Sequence, residues 1–262
     1  TPDVSSAASD VYKRQSFIFG RPALSLIVER FPATLELATF ALIIAIMIGL
    51  PLGIYAGLNP SGWGTRIIMG SSILGISIPT FWLGLMMIIV FSVLLGWLPV
   101  SGRGEIGSFL GIKSSVFTID GLRHLIMPAT NLALFKIAMV IRLTRAGTEE
   151  VMRLDFIKFA RARGLSPRRI VRFHLLPNIL IPIITVIAIE FGTLIAFATV
   201  TESIFAWPGL GKLVIDAIIN LDRPIVVAYL LFVVTLFLIL NLVVDIIYAV
   251  LDPRVRLGGS EK

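Results

Sequence analysis

Cysteine is absent from this 262-residue chain, and histidine occurs only twice, at His124 and His174. The first absence excludes disulfides, thiolate metal sites and cysteine nucleophiles. Two histidines so far apart in sequence offer neither a histidine-based metal site nor a general base. The chain also lacks a Gly-x-x-x-x-Gly-Lys phosphate loop, a His-rich metal motif and a nucleophile elbow. No internal repeat is evident. A catalytic centre, a resident metal and a cofactor are therefore not expected. Charge is scarce as well: 15% of residues are charged and 56% are hydrophobic, whereas soluble domains carry about 25% charged residues. A chain of this length cannot form a core large enough to hide so much apolar surface, so lipid is the expected solvent.

What the chain has instead is a series of membrane-length apolar windows. No charge occurs between Glu36 and Arg66, and this window can cross a hydrocarbon core of roughly 30 Å as a helix of about 20 residues. Asn59-Pro60-Ser61-Gly62 then marks a tight turn. The next uncharged window, Ile67 to Gly102, exceeds one perpendicular helix and is expected to tilt or bend, with Pro79 as the kink point. Trp97 and Pro99 mark its interfacial end. Residues 101–121 read as an exposed polar loop. The pattern predicts spans at about 34–57, 67–96, 122–145, 179–200 and 224–251. Between them lies a basic segment, 146–178, and 253–262 forms a tail. Residues 16–32 read as an external N-terminal segment. Residues 1–15, TPDVSSAASDVYKRQ, have neither the apolar core of a signal peptide nor helical periodicity, and read as a non-native leader.

The net charge of +7 would suit nucleic acid if it were clustered on a soluble face. Here the basic residues alternate with apolar spans. Nine of them fall within 142–172, against three acids, Glu149, Glu150 and Asp155. The opposite loops, 101–121 and 201–223, hold two basic residues each. The basic segment and the C-terminal tail therefore belong in the cytoplasm. An odd number of spans leaves the N-terminus outside, which suggests that a first transmembrane helix precedes this sequence.

Within FARARGLSPRRIVRFHLLPN (159–178) the punctuation predicts two short helices. Gly164 is placed to end the first in the left-handed conformation. Ser166 is placed to cap the second, with Pro167 at its first position. Pro177 is expected to end it where the next span begins. An ordinary basic loop that attracts anionic lipid is the plainer reading. Lipid attraction, however, needs no glycine hinge and no caps, so a shaped docking element is favoured.

This stretch resembles the cytoplasmic EAA loop of binding-protein-dependent ABC importer permeases. That pattern is EAA, three residues, Gly, nine residues, Ile, one residue, Leu-Pro. Ala160, Gly164, Leu176 and Pro177 fall in register, while Lys158, Phe159 and His174 stand where the pattern has Glu, Ala and Ile. Those departures are similar to the dipeptide/oligopeptide branch. ERFPATLELA (29–38), SIPTFWLG (77–84), RLTRAG (142–147), TESIFAWPGLGKL (201–213) and LDPR (251–254) resemble the same branch, so the likeness covers nearly everything from Ser16 onward.

The resemblance implies an all-α integral membrane fold, a polytopic helical bundle of the MetI-like ABC permease type. Five transmembrane helices would be present and the family's first would be missing. It implies a B-type permease subunit in the cell inner membrane, forming half of a path for dipeptides or oligopeptides. The implied partners are a second homologous permease subunit, cytoplasmic ABC ATPase subunits that hydrolyse ATP, and an extracytoplasmic substrate-binding protein. Asp155, Phe156, Ile157, Lys158, Phe159, Ala160, Arg161, Gly164, Leu176 and Pro177 would form the ATPase-coupling loop. Phe156, Ile157 and Phe159 would be its apolar anchors. Nickel, glutathione or another small solute is an alternative cargo. An ion-gradient-driven secondary transporter is the alternative class, but it would call for inverted repeats and paired carboxylates.

Glu190 sits in mid-span, where an ionisable group is costly in lipid and is a path candidate by default. A structural contact with Lys136 or Asn131 is an equal alternative. Asn241 and Asp245, one turn apart, read as helix packing. Trp207, Pro208, Gly209 and Gly211 suggest a re-entrant external turn, tolerated only where protein buries it. The family resemblance implies an outer gate there; a plain interfacial tryptophan anchor is the alternative.

Overall fold

The computed structural model describes residues 15–251. The leader up to residue 14, most of the LDPR motif and the 253–262 tail lie outside the described residues, as does the side chain of Asp245. Helices dominate because a backbone in lipid must satisfy its own hydrogen bonds. In chain order they are α1 (Ala23–Leu58), α2 (Trp63–Ser77), α3 (Thr80–Met87), α4 (Ile119–Val151), α5 (Asp155–Ala162), α6 (Pro167–Ile170), α7 (Leu176–Phe197), α8 (Thr199–Ile204), α9 (Leu210–Ile219) and α10 (Arg223–Leu251).

Four stretches are long and apolar enough to cross a membrane: α1, α4, Pro167–Ala196 and Arg223–Val243. A fifth candidate is a broken pair, Trp63–Ser77 with Thr80–Leu94, bent by 101°. The bend falls at Pro79, but it is a full break rather than a kink. Ile78 leaves the helix in an extended conformation, as a residue before proline tends to do. Two helices outrun their sequence estimates: α1 starts at Ala23 and α4 continues to Val151. The 101–121 loop is more ordered than a polar connection. Strands β1 (Gly107–Phe109) and β2 (Ile112–Ser114) pair antiparallel through a two-residue turn, Leu110-Gly111. Both turn residues have positive φ, 49° and 83°, as a hairpin of this length requires.

The chain divides into two units. The first comprises Thr1–Phe40, Thr80–Leu132 and Gly192–Ile239. Its core joins Ala23 and Ile27 of α1 to Leu210 and Leu213 of α9 and Ile225 of α10. Phe31 meets Phe232 edge-on at 5.3 Å. Asp222 anchors the chain ahead of α1, accepting from the Ser16 hydroxyl and the Phe17 amide.

The second unit comprises Ala41–Pro79, Ala133–Phe191 and Leu240–Lys262. In it α1 and α4 touch along a glycine stripe. Gly49, Gly53 and Gly57 recur every fourth residue and face Val140, Thr144 and Thr148 respectively. This small-residue spacing lets backbones approach where no hydrophobic force separates protein from lipid. Around Ile157, Ile170, Leu175, Ile179 and Ile183 a second core forms.

Candidate functional sites: the basic segment and the 201–213 motif

In the basic segment, α5 is held by its ends and its inner face. Gly164 has φ +75°. Its amide donates to the Arg161 carbonyl and the Leu165 amide donates to the Ala160 carbonyl, 2.9 and 3.2 Å. These two bonds form a Schellman motif, with Leu165 supplying the accompanying apolar contact. At the other end Asp155 sits in the first turn, beside the positive pole of the helix. The Lys158 ammonium donates to its carboxylate at 2.8 Å. That bond, and then the ammonium's charge, holds the Asp155 carboxyl below its ordinary range.

Ile157 and Ala160, three residues apart, are buried. Phe156 and Phe159 are exposed, and the Arg163 guanidinium lies 4.6 Å from the Phe159 ring centroid. This corrects one expectation. Ile157 is fully enclosed by its own unit, so it fastens α5 down and offers nothing to a partner. The outward edge is Phe156, Phe159 and Arg163, flanked by the exposed Lys158 and Arg161.

Two further expectations need correcting here. Ser166 does occupy the N-cap position and Pro167 follows at N1, but the Ser166 hydroxyl makes no capping bond; its carbonyl accepts from Arg169 and Ile170 instead. Pro177 does not end the helix. The chain runs helically from Pro167 to Phe197, and a π turn, Val171–Leu175, lies immediately before Leu176 and Pro177. Such a turn widens the backbone ahead of a residue that has no N–H and crowds the carbonyl four back. Leu176 is half-buried and Pro177 exposed on this continuous helix.

Glu190 is paired with Lys136, whose ammonium donates to its Oε2. Side-chain exposures of 22% and 11% put the pair partly inside the second unit. The structural contact weighed from the sequence is thus present.

In the first unit, the 201–213 motif closes around an acid that sequence reasoning did not single out, Glu202. Its side chain is buried and accepts three bonds. The Thr34 hydroxyl donates to Oε1 at 2.7 Å; the Gly211 and Lys212 amides donate to Oε2 at 2.7 and 3.1 Å. Thr34 Oγ1 also accepts from the Leu210 amide at 2.8 Å. Glu202 lies beyond the apolar stretch ending at Ala196. Burial pushes its carboxyl above the ordinary range, and the Thr34 hydroxyl and the two amides pull against that.

Both glycines have a steric cause. A Cβ on Gly209 would run into the Glu202 carboxylate, and one on Gly211 into the Thr199 backbone. Trp207 is completely buried, its Nε1–H donating to the Ala33 carbonyl at 2.8 Å. A tryptophan so enclosed is not an interfacial anchor. The half-buried Pro208 joins it to Gly209.

The hairpin loop joins this network. The Arg103 guanidinium pairs with Glu36 and lies 5.8 Å from the Trp207 ring centroid. The Ser115 hydroxyl donates to Glu36, and the Gly102 amide donates to the Phe205 carbonyl at 2.9 Å. ERFPATLELA is thus the strip on which both the hairpin loop and the 201–213 segment rest. An acid beside a Pro/Gly-rich turn, with a threonine in the matching motif, was the available signal.

Comparison with known proteins places these features in a family. Residues 49–257 match the model described as "Binding-protein-dependent transport system inner membrane component". The di/tripeptide transport system permease protein DppB of Pseudomonas aeruginosa (strain UCBPP-PA14) is 44% identical over 238 residues, covering 86% of this chain and 71% of that protein. The dipeptide transport system permease protein DppB of Escherichia coli (strain K12) is 38% identical over 250 residues, covering 90% and 74%. Among solved structures, the MetNI methionine ABC transporter in an inward-facing conformation aligns with TM-score 0.69 at 20% identity, over 87% of this chain and 97% of that one. An amino acid ABC transporter crystallised with histidines aligns with TM-score 0.60 at 14% identity. The fold is that of the MetI-like ABC permeases, and the chain belongs to the family of binding-protein-dependent transport system inner membrane components.

Proposed function

We propose that this chain is one of two permease subunits of an ATP-driven importer of dipeptides and oligopeptides, and that α5 is its coupling element. The carrying observation is the two-sidedness of α5. One face, Ile157 and Ala160, is sunk into its own unit, while Phe156, Phe159 and Arg163 stand clear on a helix fixed at its C-terminal end. A short element gripped from behind, with aromatic and arginine side chains in front, suits the transfer of force from a docked protein. ATP hydrolysis then belongs to a cytoplasmic partner that receives this face, and an extracytoplasmic binding protein delivers the peptide. Peptide cargo is supported by the names of the two relatives.

In this reading the external-loop motif, with Trp207, Pro208, Gly209 and Gly211 locked onto Thr34 through Glu202, serves as the outer gate. The Lys136–Glu190 pair is a structural tie between spans. Co-purification with the ATPase tests the assignment. Phe159→Asp with Arg163→Glu should abolish ATPase retention and peptide uptake while the permease still folds. Uptake that persists without bound ATPase would refute the reading.

A further inference from the structure

We propose that the exposed face of Pro167–Leu175 binds the phosphate headgroups of anionic phospholipids in the cytoplasmic leaflet. The proposal rests on the permease reading above and on the orientation given by the Lys/Arg distribution. Arg168, Arg169, Arg172 and Phe173 are all exposed. Arg172 follows Arg169 by three residues and Arg168 by four, and Phe173 follows Arg169 by four, which groups them on one side of the helix. Ile170 and Leu175 are buried in the core of the same unit, so this stretch cannot turn to hide its arginines.

Among the described residues, no carboxylate pairs with this charge. From Phe156 to Ile189 the sequence has six Lys or Arg residues and no acid. Among the described residues, Arg168, Arg169 and Arg172 form no ion pair. Three arginines on about one turn of helix therefore present an uncompensated positive patch, the complement of a layer of phosphates.

Depth favours lipid over protein as the occupant. The helix bearing the patch belongs to a stretch long and apolar enough to cross a membrane, Pro167–Ala196. Arg172 is the last Lys or Arg before Lys212 and lies seven residues, about 10 Å along the axis, before Ile179. Phe173 is 61% exposed beside it, with the Arg172 guanidinium 5.6 Å from the ring centroid. An arginine lying on an exposed aromatic ring, just ahead of an apolar span, suits the headgroup boundary, with aliphatic stems toward the acyl chains and the charge toward phosphate. The edge assigned to the ATPase is carried by α5, a separate helix beyond the Gly164 turn.

The test uses the assembled transporter in lipid nanodiscs containing phosphatidylglycerol or only phosphatidylcholine. Retained phospholipid is counted by native mass spectrometry and ATPase stoichiometry is read on the same samples. The wild type should retain phosphatidylglycerol in preference to phosphatidylcholine, and should lose that preference as salt is raised. Each arginine is worth about fivefold near such a surface. Arg168→Gln, Arg169→Gln and Arg172→Gln together should therefore weaken retention by on the order of a hundredfold while leaving ATPase bound. The corresponding triple Arg→Lys variant should restore it.

A wild type without headgroup preference overturns the proposal, and this arm needs no variant to fold. It is equally overturned if the glutamine variant sheds ATPase with phosphatidylglycerol retention unchanged, which would make the patch a protein contact. Failure of ATPase to bind any form would refute the permease reading instead, while the lipid arms still read out.

Discussion

Gly53 is where a single methyl group should be felt most directly. A Cβ placed there would lie 2.5 Å from Thr144 Cβ, 2.8 Å from the Ile141 carbonyl oxygen and 2.9 Å from Thr144 Cγ2. Two of those neighbours have no freedom to move: one is backbone, the other a Cβ. Ordinary contact begins at 3.4 Å, so α1 and α4 would have to part by almost 1 Å. Overpacking of this kind costs about 1–3 kcal/mol. Parting also weakens the dispersion contacts at Gly49 and Gly57, since a gap of 0.5–1 Å forfeits roughly a quarter to a half of each attraction. Alanine returns up to about 1 kcal/mol through helix propensity.

The net expectation for Gly53→Ala is a loss of about 1–3 kcal/mol. An internal control exists on α2, where a Cβ on Gly70 or Gly75 meets nothing within 4 Å. Those two alanine variants should match or slightly exceed the wild type, because only propensity changes. Thermal unfolding in lipid nanodiscs compares all four proteins. Gly53→Ala unfolding alongside Gly70→Ala would refute the close-packing argument.

Further outcomes follow from the packing and hydrogen bonds described above. Thr144 Oγ1 is buried with no hydrogen-bond partner among the described residues, so Thr144→Val should leave stability unchanged or raise it by about 1 kcal/mol in the same thermal assay. Ile157→Ala should lower stability by about 2–5 kcal/mol, as for a fully buried isoleucine, whereas Phe159→Ala should leave the unfolding midpoint near wild type and reduce ATPase binding. Glu202→Ala strands the Gly211 and Lys212 amides and the Thr34 hydroxyl at about 1–3 kcal/mol each; Glu202→Gln keeps an acceptor and sheds a charge that burial disfavours, and should stay closer to wild type. Because the Glu202 carboxyl is raised in the folded state, its contribution is fully present below the unfolded value and is lost as pH rises through the folded value. Wild type should therefore gain stability relative to Glu202→Gln on acidification across that window, measured as the difference between their unfolding curves.

The helices were legible because lipid removes alternatives: a charge-free window of membrane length can be little else. Gly164 was legible because few other residues adopt its backbone conformation cheaply. Pro177 misled for the converse reason, since a local rule about proline was overridden by a π turn that the sequence does not announce. Ile157 looked like a docking anchor because periodicity names a face without naming what covers it. The Glu202 hub was only half legible: the acid stood beside a Pro/Gly-rich turn, but its partner Thr34 is 168 residues away, and no local pattern reports such a pairing. The glycines at 49, 53 and 57 stood in plain view at four-residue spacing, yet only a facing helix gives that spacing meaning.

The wiring of Thr34 has a practical consequence for anyone recombining permeases of this kind. Its hydroxyl accepts a hydrogen bond from the Leu210 amide and donates one to Glu202, while the neighbouring Ala33 carbonyl accepts from the Trp207 indole N–H. Residues 29–38 and 201–213 are therefore one exchangeable cassette written in two places. A chimera that swaps either alone inherits half of a lock, and one that swaps both carries lock and key across together.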